Sequence, residues 1–183
     1  MAIAKRKKRF FTIEMPLIRK QTQLQAYEAK DLENKYIKYD LTRSLKGKSM
    51  IITFKTKFDG EELLTTPKEL RLMPYYLKRM VRRGTNYVEE SFLTECNNAE
   101  IRIKPFLVTR RKVSRAVRKT LRNKAREELI EWAKDKNTET LFEDILKNKI
   151  QREISIKLKK IYPLSLCEIR VIKVEKEKEE KKE

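Results

Sequence analysis

The sequence predicts an α+β fold. Segments rich in β-branched and aromatic residues, which favour strands, occupy most of the first half of the chain, and helical patterns dominate the second half. Strand and helix do not alternate regularly, which argues against a parallel βαβ architecture. The chain has 183 residues, and 39% of them are apolar, enough to bury the core of one domain.

The opening segment predicts a strand and then a less regular stretch. Residues 10–15 alternate apolar and polar side chains and end at Pro16, a pattern typical of a strand. Residues 17–35 are polar with weak periodicity, so we expect a loop or a short helix there.

A β-hairpin is expected next. Residues 36–41 and 50–58 are rich in β-branched and aromatic residues, which predicts two strands. The dipeptide Asp59-Gly60 is a strong signal for a tight turn. The chain should therefore return through a strand at residues 61–65.

A short helix and a second hairpin follow. Pro74 suits the first turn of a helix that runs to about Arg83, and Gly84 is placed to end it. Residues 87–94 and 101–108 predict a hairpin that turns at Asn97-Asn98.

The C-terminal part predicts a helix and a closing strand. Thr140 and Glu143 match a capping box at the start of the helix. Apolar residues then recur at every fourth position, which is typical of a helix packed on a core rather than of a binding face. These residues are Phe142, Leu146, Ile150, Ile154 and Leu158. Tyr162-Pro163 ends the helix, and residues 166–174 predict a strand.

The charge of the chain is strongly positive and unevenly distributed. Lys and Arg total 46 against 27 Asp and Glu, a net charge of +19. Basic residues concentrate at 5–9 and 71–83 and, without a single acid, at 102–126. Such uncompensated cations repel one another, and a bound polyanion offsets that repulsion. We therefore expect a polyanionic partner.

The same distribution divides the chain into three parts. We expect a basic N-terminal arm at residues 1–9, one globular domain at 10–174 and a charged tail at 175–183. The tail has no apolar residue to bury, so it should be coil or a fraying helix.

The composition argues against catalysis. Histidine is absent and the three glycines lie far apart, so the commonest general base and a glycine-rich phosphate loop are both missing. Cys96 and Cys167 are expected to be free, partly buried thiols, and no acidic group indicates a metal site. No apolar run has the length of a membrane span. We expect no catalytic residue, metal, cofactor, small-molecule substrate or membrane partner.

One long helix carries the densest positive charge. Ser114 is placed to cap it, and it should end near Asp135. At about 100° per residue, its cations share one arc and its apolar residues share the neighbouring arc. The cations are Arg115, Arg118, Lys119, Arg122 and Arg126, and the apolar residues are Val117, Leu121, Ala125 and Trp132.

This helix is charged against its own dipole. Its first half is basic, whereas Glu127, Glu128, Glu131 and Asp135 lie in its second half. The macrodipole favours the opposite placement. With three more cations at 110–112, the basic end predicts a phosphate-binding site.

Three tyrosines lie near the basic segment at 71–83. Tyr75, Tyr76 and Tyr87 could stack on unpaired bases, or they could be core and partly buried residues.

Five stretches, in the same order along nearly the whole chain, match the pattern of one known family. They are KRFFTIEMP (8–16), DLTRSLKGKSM (40–50), YLKRMVRRG (76–84), PFLVTRRKVSRAVRKTLRNK (105–124) and KIYPLSLCEIRV (160–171). Together they resemble the small-subunit ribosomal protein family of archaea and eukaryotes known as e-type protein one, with the older name three-A-e. The chain lacks the long C-terminal extension of eukaryotic members, which implies an archaeal-type protein.

The resemblance implies a structural constituent of the small ribosomal subunit in the cytoplasm. Its place would be the platform near the messenger RNA exit, in contact with ribosomal RNA and neighbouring ribosomal proteins. The resemblance also implies a mixed, mainly antiparallel, barrel-like sheet flanked by helices. By position, the arginines at 82, 83, 110, 111, 115 and 118 would face RNA. All the cations that we expect to bind RNA are Lys5, Arg6, Lys7, Lys8, Arg9, Arg79, Arg82, Arg83, Arg110, Arg111, Lys112, Arg115, Arg118, Lys119 and Arg122.

Two other functions remain open at this point. A free-standing RNA- or DNA-binding translation or chromosomal factor would have the same charge. An RNA-modifying enzyme is disfavoured because the chain has no histidine and no cofactor loop.

Overall fold

The computed structural model describes residues 7–45, 47–59 and 62–177, which form strands and helices in the order expected of an α+β fold. The strands are β1 (Arg9–Met15), β2 (Lys20–Ala26), β3 (Tyr36–Asp40), β4 (Met50–Asp59), β5 (Glu62–Leu72), β6 (Tyr87–Glu89), β7 (Phe92–Glu95), β8 (Ala99–Thr109) and β9 (Leu164–Glu177). The α-helices are α1 (Pro74–Met80), α2 (Arg115–Lys134), α3 (Thr138–Leu146) and α4 (Lys149–Lys159). Short 3-10 helices span Pro16–Ile18 and Ala29–Leu32.

The main sheet is antiparallel and open. Its strand order is β3-β4-β5-β9-β8-β6, and β7 also pairs with β8. The closing strand β9 runs antiparallel to both β5 and β8, which lie on either side of it. The expectation of a mixed, barrel-like sheet is therefore corrected. All pairings between the described strands are antiparallel, and β3 and β6 form opposite edges that do not close.

The polar segment after β1 contains a strand, so the prediction of a loop or short helix at 17–35 was wrong for its central part. β2 pairs with β1 as a separate two-stranded sheet. Thr22, Leu24 and Ala26 alternate with exposed glutamines, a period-2 pattern too weakly apolar to recognise beforehand. This hairpin packs against β5, where the Thr65 hydroxyl donates a hydrogen bond to the Glu14 carbonyl at 2.8 Å.

The hairpin of β4 and β5 is confirmed, although β5 is much longer than residues 61–65. Its turn at Gly60 lies outside the described residues. Strand β5 continues to Leu72 through Pro67, which lies opposite Phe54 where the register shifts. A bulge accommodates proline because the ladder hydrogen bonds are already interrupted there.

Helix α1 begins at Pro74 as predicted but ends at Met80, before Arg82 and Arg83. The Thr85 hydroxyl donates a hydrogen bond to the Arg82 carbonyl at 2.7 Å, closing a turn. Gly84 has a φ of 83° in this turn, a conformation that costs glycine little. The predicted extension of the helix to Arg83 was therefore wrong.

The second hairpin is confirmed, with its first strand divided into β6 and β7, both paired to β8. Its turn is closed by a hydrogen bond from the Cys96 amide to the Ala99 carbonyl at 2.9 Å. The Asn98 side chain accepts a hydrogen bond from the Thr138 amide at 3.0 Å, which joins the turn to the start of α3.

The long helix α2 begins and ends as the sequence predicts. The Ser114 hydroxyl accepts a hydrogen bond from the Val117 amide at 3.4 Å, and Asp135 is the C-cap. The helix buries Leu121, Ala125 and Leu129 against the core. Its apolar arc is thus confirmed as a core-facing surface.

The next predicted helix is two helices. Asn148 adopts a left-handed conformation with a φ of 58° between α3 and α4, which asparagine tolerates better than most residues. The capping box was wrong, because Thr140 lies inside α3 and its hydroxyl donates to the Asn137 carbonyl at 2.8 Å. The apolar stripe nevertheless packs in the core, with Phe142 and Leu158 fully buried.

Both ends of the described chain are more structured than the predicted arm and tail. Arg9 is the first residue of β1, and β9 continues to Glu177, so the first three residues of the predicted tail are strand. Residues 178–183 and the cations Lys5 and Arg6 lie outside the described residues.

Candidate nucleic-acid interface

All nine predicted cations from residue 82 onward gather at one end of the main sheet, where β8 ends and α2 begins. Arg82 and Arg83 precede β6, and Arg110 follows β8 directly. Tyr87 of β6 pairs with Val108 of β8, which brings the two segments together. We call this surface the cationic end. It comprises Arg82, Arg83, Arg110, Arg111, Lys112, Arg115, Arg118, Lys119 and Arg122.

Two uncharged residues, Asn86 and Thr109, connect the segments of the cationic end by hydrogen bonds. The Asn86 carbonyl accepts hydrogen bonds from the amide and the hydroxyl of Thr109, at 2.9 and 3.0 Å. The Asn86 side chain accepts from the Val113 amide at 2.8 Å, and the Thr109 hydroxyl also lies 2.7 Å from the Arg111 carbonyl. This network was missed from the sequence because its partners come from segments far apart in the chain.

The start of α2 contributes cations and the positive end of its helix dipole to this surface. Its first turn contains no acid, so the positive end of the helix dipole adds to the cations around it. The cationic end is exposed except at Arg118, which is half-buried. The Arg118 Nε is buried and has no hydrogen-bond partner among the described atoms.

The grouped side chains of the cationic end lack counterions among the described residues. Within residues 7–45, 47–59 and 62–177, none of its side chains forms an ion pair with a carboxylate. Other bases from the acid-free run at 102–126 do meet carboxylates from elsewhere in the fold. Arg102 pairs with Glu175 of β9 at 2.9 Å, and Arg126 pairs with Glu90 at 3.5 Å and lies 5.7 Å from the Phe92 ring.

The acidic half of α2 contacts α4 through Glu128. Glu128 is buried and accepts a hydrogen bond from Lys157 of α4, and Lys124 of the same helix pairs with it at 3.2 Å. The hydrogen bond from Lys157 lowers the pKa of Glu128 below its ordinary value, against the opposing effect of burial. Glu128 therefore holds α4 against α2.

Three described cations of the predicted set lie apart from the cationic end, and a fourth lies in α1. Lys7, Lys8 and Arg9 lie at the start of the β1–β2 hairpin, which packs on β5, whereas β8 and β9 separate β5 from β6. Arg79 lies in α1, with its guanidinium 5.7 Å from the Tyr76 ring.

The three tyrosines have different surroundings. Tyr76 is buried, which agrees with the alternative of a core residue rather than one that stacks on bases. Tyr75 and Tyr87 are exposed. The Tyr87 ring stacks on Phe106 with centroids 5.9 Å apart, so one of its faces is already covered.

The described residues contain no group of three or more side chains suited to a metal ion, and no described helix has the length and apolarity to cross a bilayer. Both cysteines are free thiols. Burial, with a smaller contribution from the Glu168 carboxylate, raises the pKa of Cys167 to about 12. Cys167 is therefore a neutral thiol at physiological pH.

The fold and this surface define an α+β protein with a cationic end that is mostly exposed and has no ion pair among the described residues. A sequence profile of the Ribosomal S3Ae family matches residues 4–178, and the chain belongs to that family. The predicted resemblance is thereby confirmed. This is a structural, non-enzymatic family, in line with the prediction that the chain is not an enzyme.

Archaeal relatives named small ribosomal subunit protein eS1 show the same relationship. The protein from Methanothermobacter thermautotrophicus is 33% identical over 115 residues, which are 62% of this chain and 54% of that protein. The Nanoarchaeum equitans protein is 26% identical over 166 residues, 86% of this chain and 84% of that protein. The Pyrobaculum arsenaticum protein is 28% identical over 140 residues, 74% and 63% of the two chains. The matched segment thus spans about half the length of the first of these relatives and most of the second.

Proposed function

We propose that the chain is a structural protein of the small ribosomal subunit in the cytoplasm and binds ribosomal RNA through its cationic end. Its place is the platform near the messenger RNA exit, among neighbouring ribosomal proteins. Family membership and the name of the archaeal relatives support the ribosomal role. The platform position follows from the family resemblance.

One observation carries the assignment of the RNA surface. Nine cations gather at the cationic end without a carboxylate partner among the described residues, whereas Arg102 and Lys157 elsewhere in the fold have such partners. Arginine predominates in this set, and its planar fork matches phosphate oxygens. Arginines grouped around a helix start contact phosphate and sugar, so specificity should come from the shape of the folded RNA.

The RNA surface can be tested by charge reversal. In the variant Arg115→Glu/Arg122→Glu, both substituted side chains are exposed, so the core is untouched. We expect weaker binding to small-subunit RNA and a shallower dependence on salt. The log–log slope should fall by about 0.7 to 0.9 for each phosphate that the variant no longer neutralises. Fluorescence anisotropy over a salt series measures both quantities.

A matched control has the same net charge. The variant Lys134→Glu/Lys159→Glu reverses two exposed bases outside the cationic end, at the end of α2 and in α4. Long-range attraction weakens in both variants, but only the first removes cations that touch phosphate. Equal affinities and equal salt slopes for the two variants would reject the cationic end as the RNA surface. Arg118→Glu, added to the first variant, should lower affinity further.

The ribosomal role is tested separately in cell lysate. The protein should sediment with the small subunit in a sucrose gradient, and crosslinking in the assembled subunit should connect it to RNA near the messenger exit. Protein that stays at the top of the gradient under conditions that preserve the subunit would favour the free-standing nucleic-acid binder instead.

A further inference from the structure

A second surface, at the open end of the β1–β2 hairpin, exposes aromatic rings to solvent. Phe10 is 64% exposed and Tyr27 is 47% exposed. Phe10 pairs with Gln25 across the hairpin, and Tyr27 follows directly after the end of β2, so both rings lie at the open end of the hairpin. We call Phe10 and Tyr27 the aromatic patch. The hydrophobic effect alone disfavours leaving both rings in water.

A depression adjoins the patch. It has a volume of about 350 Å³, and Leu24, Ala26 and Leu32 form its apolar floor. Its polar rim includes Lys8, Gln25, Tyr27, Lys35 and the carboxylate of Asp31. This combination of apolar and polar lining residues suits a ring with an apolar face and a polar edge, such as a nucleobase.

The charges around the patch favour an anionic ligand. The Lys8 ammonium lies 5.7 Å from the centroid of the Tyr27 ring, and Lys7 and Arg9 are exposed beside it. The nearby acids Glu28 and Asp31 form a reciprocal capping box with the backbone of the short helix at 29–32, which occupies part of their hydrogen-bonding capacity. Glu33 is exposed next to this helix.

The outward face of the hairpin offers uncharged hydrogen-bonding groups beside the rings. Thr12 pairs with Gln23 in the register, and both are exposed, as is Gln25. Amide side chains both donate and accept hydrogen bonds, as the edges of bases require.

We infer that the aromatic patch binds unpaired RNA nucleotides, with bases stacked on Phe10 and Tyr27 and phosphates near Lys7, Lys8 and Arg9. This inference rests on the proposed RNA-binding function and gives the chain two modes of contact. The cationic end contacts the sugar-phosphate backbone of folded RNA, and the aromatic patch contacts the bases of single-stranded RNA. The sheet order separates the two surfaces, because β9 and β8 lie between β5 and β6.

The test compares two double variants of the full chain that differ only in aromatic rings. Phe10→Leu/Tyr27→Leu removes both rings, and Phe10→Tyr/Tyr27→Phe keeps them. The probes are a labelled ten-nucleotide oligouridylate and a twelve-base-pair RNA duplex. We expect the ringless variant to bind the oligouridylate at least about fivefold more weakly, the loss of roughly one stacked base. The variant that keeps both rings should bind it like the parent, and duplex affinity should not change.

The remaining outcomes overturn the inference. Equal oligouridylate binding by both variants would show that the rings do not stack on bases. An equal loss for the duplex would show a general effect on charge or folding. Loss of small-subunit incorporation with oligouridylate affinity unchanged would identify a protein partner for the patch. Failure of the proposed function would instead appear as equal duplex binding by the two charge-reversal variants described above, whatever the rings do.

Discussion

The two halves of α2 have opposite charge, and they differ in whether that charge is ion-paired within the fold. In the second half, Glu128 faces Lys157 and Lys124, so the charge is neutralised inside the fold. In the first half, Arg115 and Arg122 project into solvent without a carboxylate partner among the described residues. Both halves bury leucine on their other side. The difference shows that one helix can use its acidic half for packing and keep its basic half available to a ligand.

The largest change in stability should come from the buried, core-facing side of α2, which runs through both halves of the helix. Leu121 and Leu129 are 0% and 1% exposed, one in each half. Replacement of either by alanine should lower the free energy of unfolding by about 2–5 kcal/mol, because each leaves a cavity in the core. Urea denaturation measures this. A loss at Leu121 of less than about 1 kcal/mol would mean that the basic half is not docked.

The next effect concerns the network that holds the cationic end in shape. Thr109→Val keeps the side-chain volume but removes the hydroxyl shared by Asn86 and Arg111. It should cost about 1–3 kcal/mol of stability, because buried backbone groups lose their partner, and it should also weaken RNA binding. Thr65→Val removes a buried hydroxyl that bonds to Glu14 elsewhere in the fold. Thr65→Val, the control, should lose comparable stability but keep its RNA affinity. Equal RNA affinities of the two variants would contradict the network's role.

A smaller effect comes from the pairing on the acidic half. Glu128→Gln should lower stability at pH 7 by about 0.5–1 kcal/mol, because the partner Lys157 is exposed and solvent weakens the pair. The hydrogen bond from Lys157 lowers the pKa of Glu128, so the stabilisation is complete above the unfolded pKa and disappears as the pH falls through the folded value. Parent and variant should therefore converge in stability under acid conditions. A constant difference at every pH would exclude the ion pair as its cause.

The smallest effect contrasts the two ends of the helix directly. Arg115→Gln removes a cation from the unfavourable end of the dipole, and Lys134→Gln removes one from the favourable end. Stability at low salt should rise by about 0.3–0.5 kcal/mol in the first case and fall by a similar amount in the second. Both changes should shrink as salt is added. The same sign for both variants would contradict the dipole argument.

Local signals identified the elements that depend on nearby residues. Ser114 and the charge and apolar arcs predicted α2 with its boundaries, because caps and helical periodicity act over a few residues. The dipeptide Asp59-Gly60 predicted the hairpin of β4 and β5 for the same reason.

The errors arose where distant or weak interactions decide the conformation. Strand β2 alternates threonine, leucine and alanine with glutamine, and pairing with β1 is what makes it a strand. The predicted single helix is broken at Asn148, whose side chain accepts a hydrogen bond from Lys48, a residue distant in sequence.

The sequence by itself determined the excess of positive charge, the inverted charge of α2 and the family of the chain. Only the tertiary structure decided which cations are free. Arg102 and Arg126 belong to the same acid-free run as Arg110 and Arg115. Strand pairing and helix packing bring carboxylates to the first two, whereas the other two have none among the described residues. Ion pairing requires contact within a few ångströms, and that proximity is set by the fold rather than by spacing along the chain.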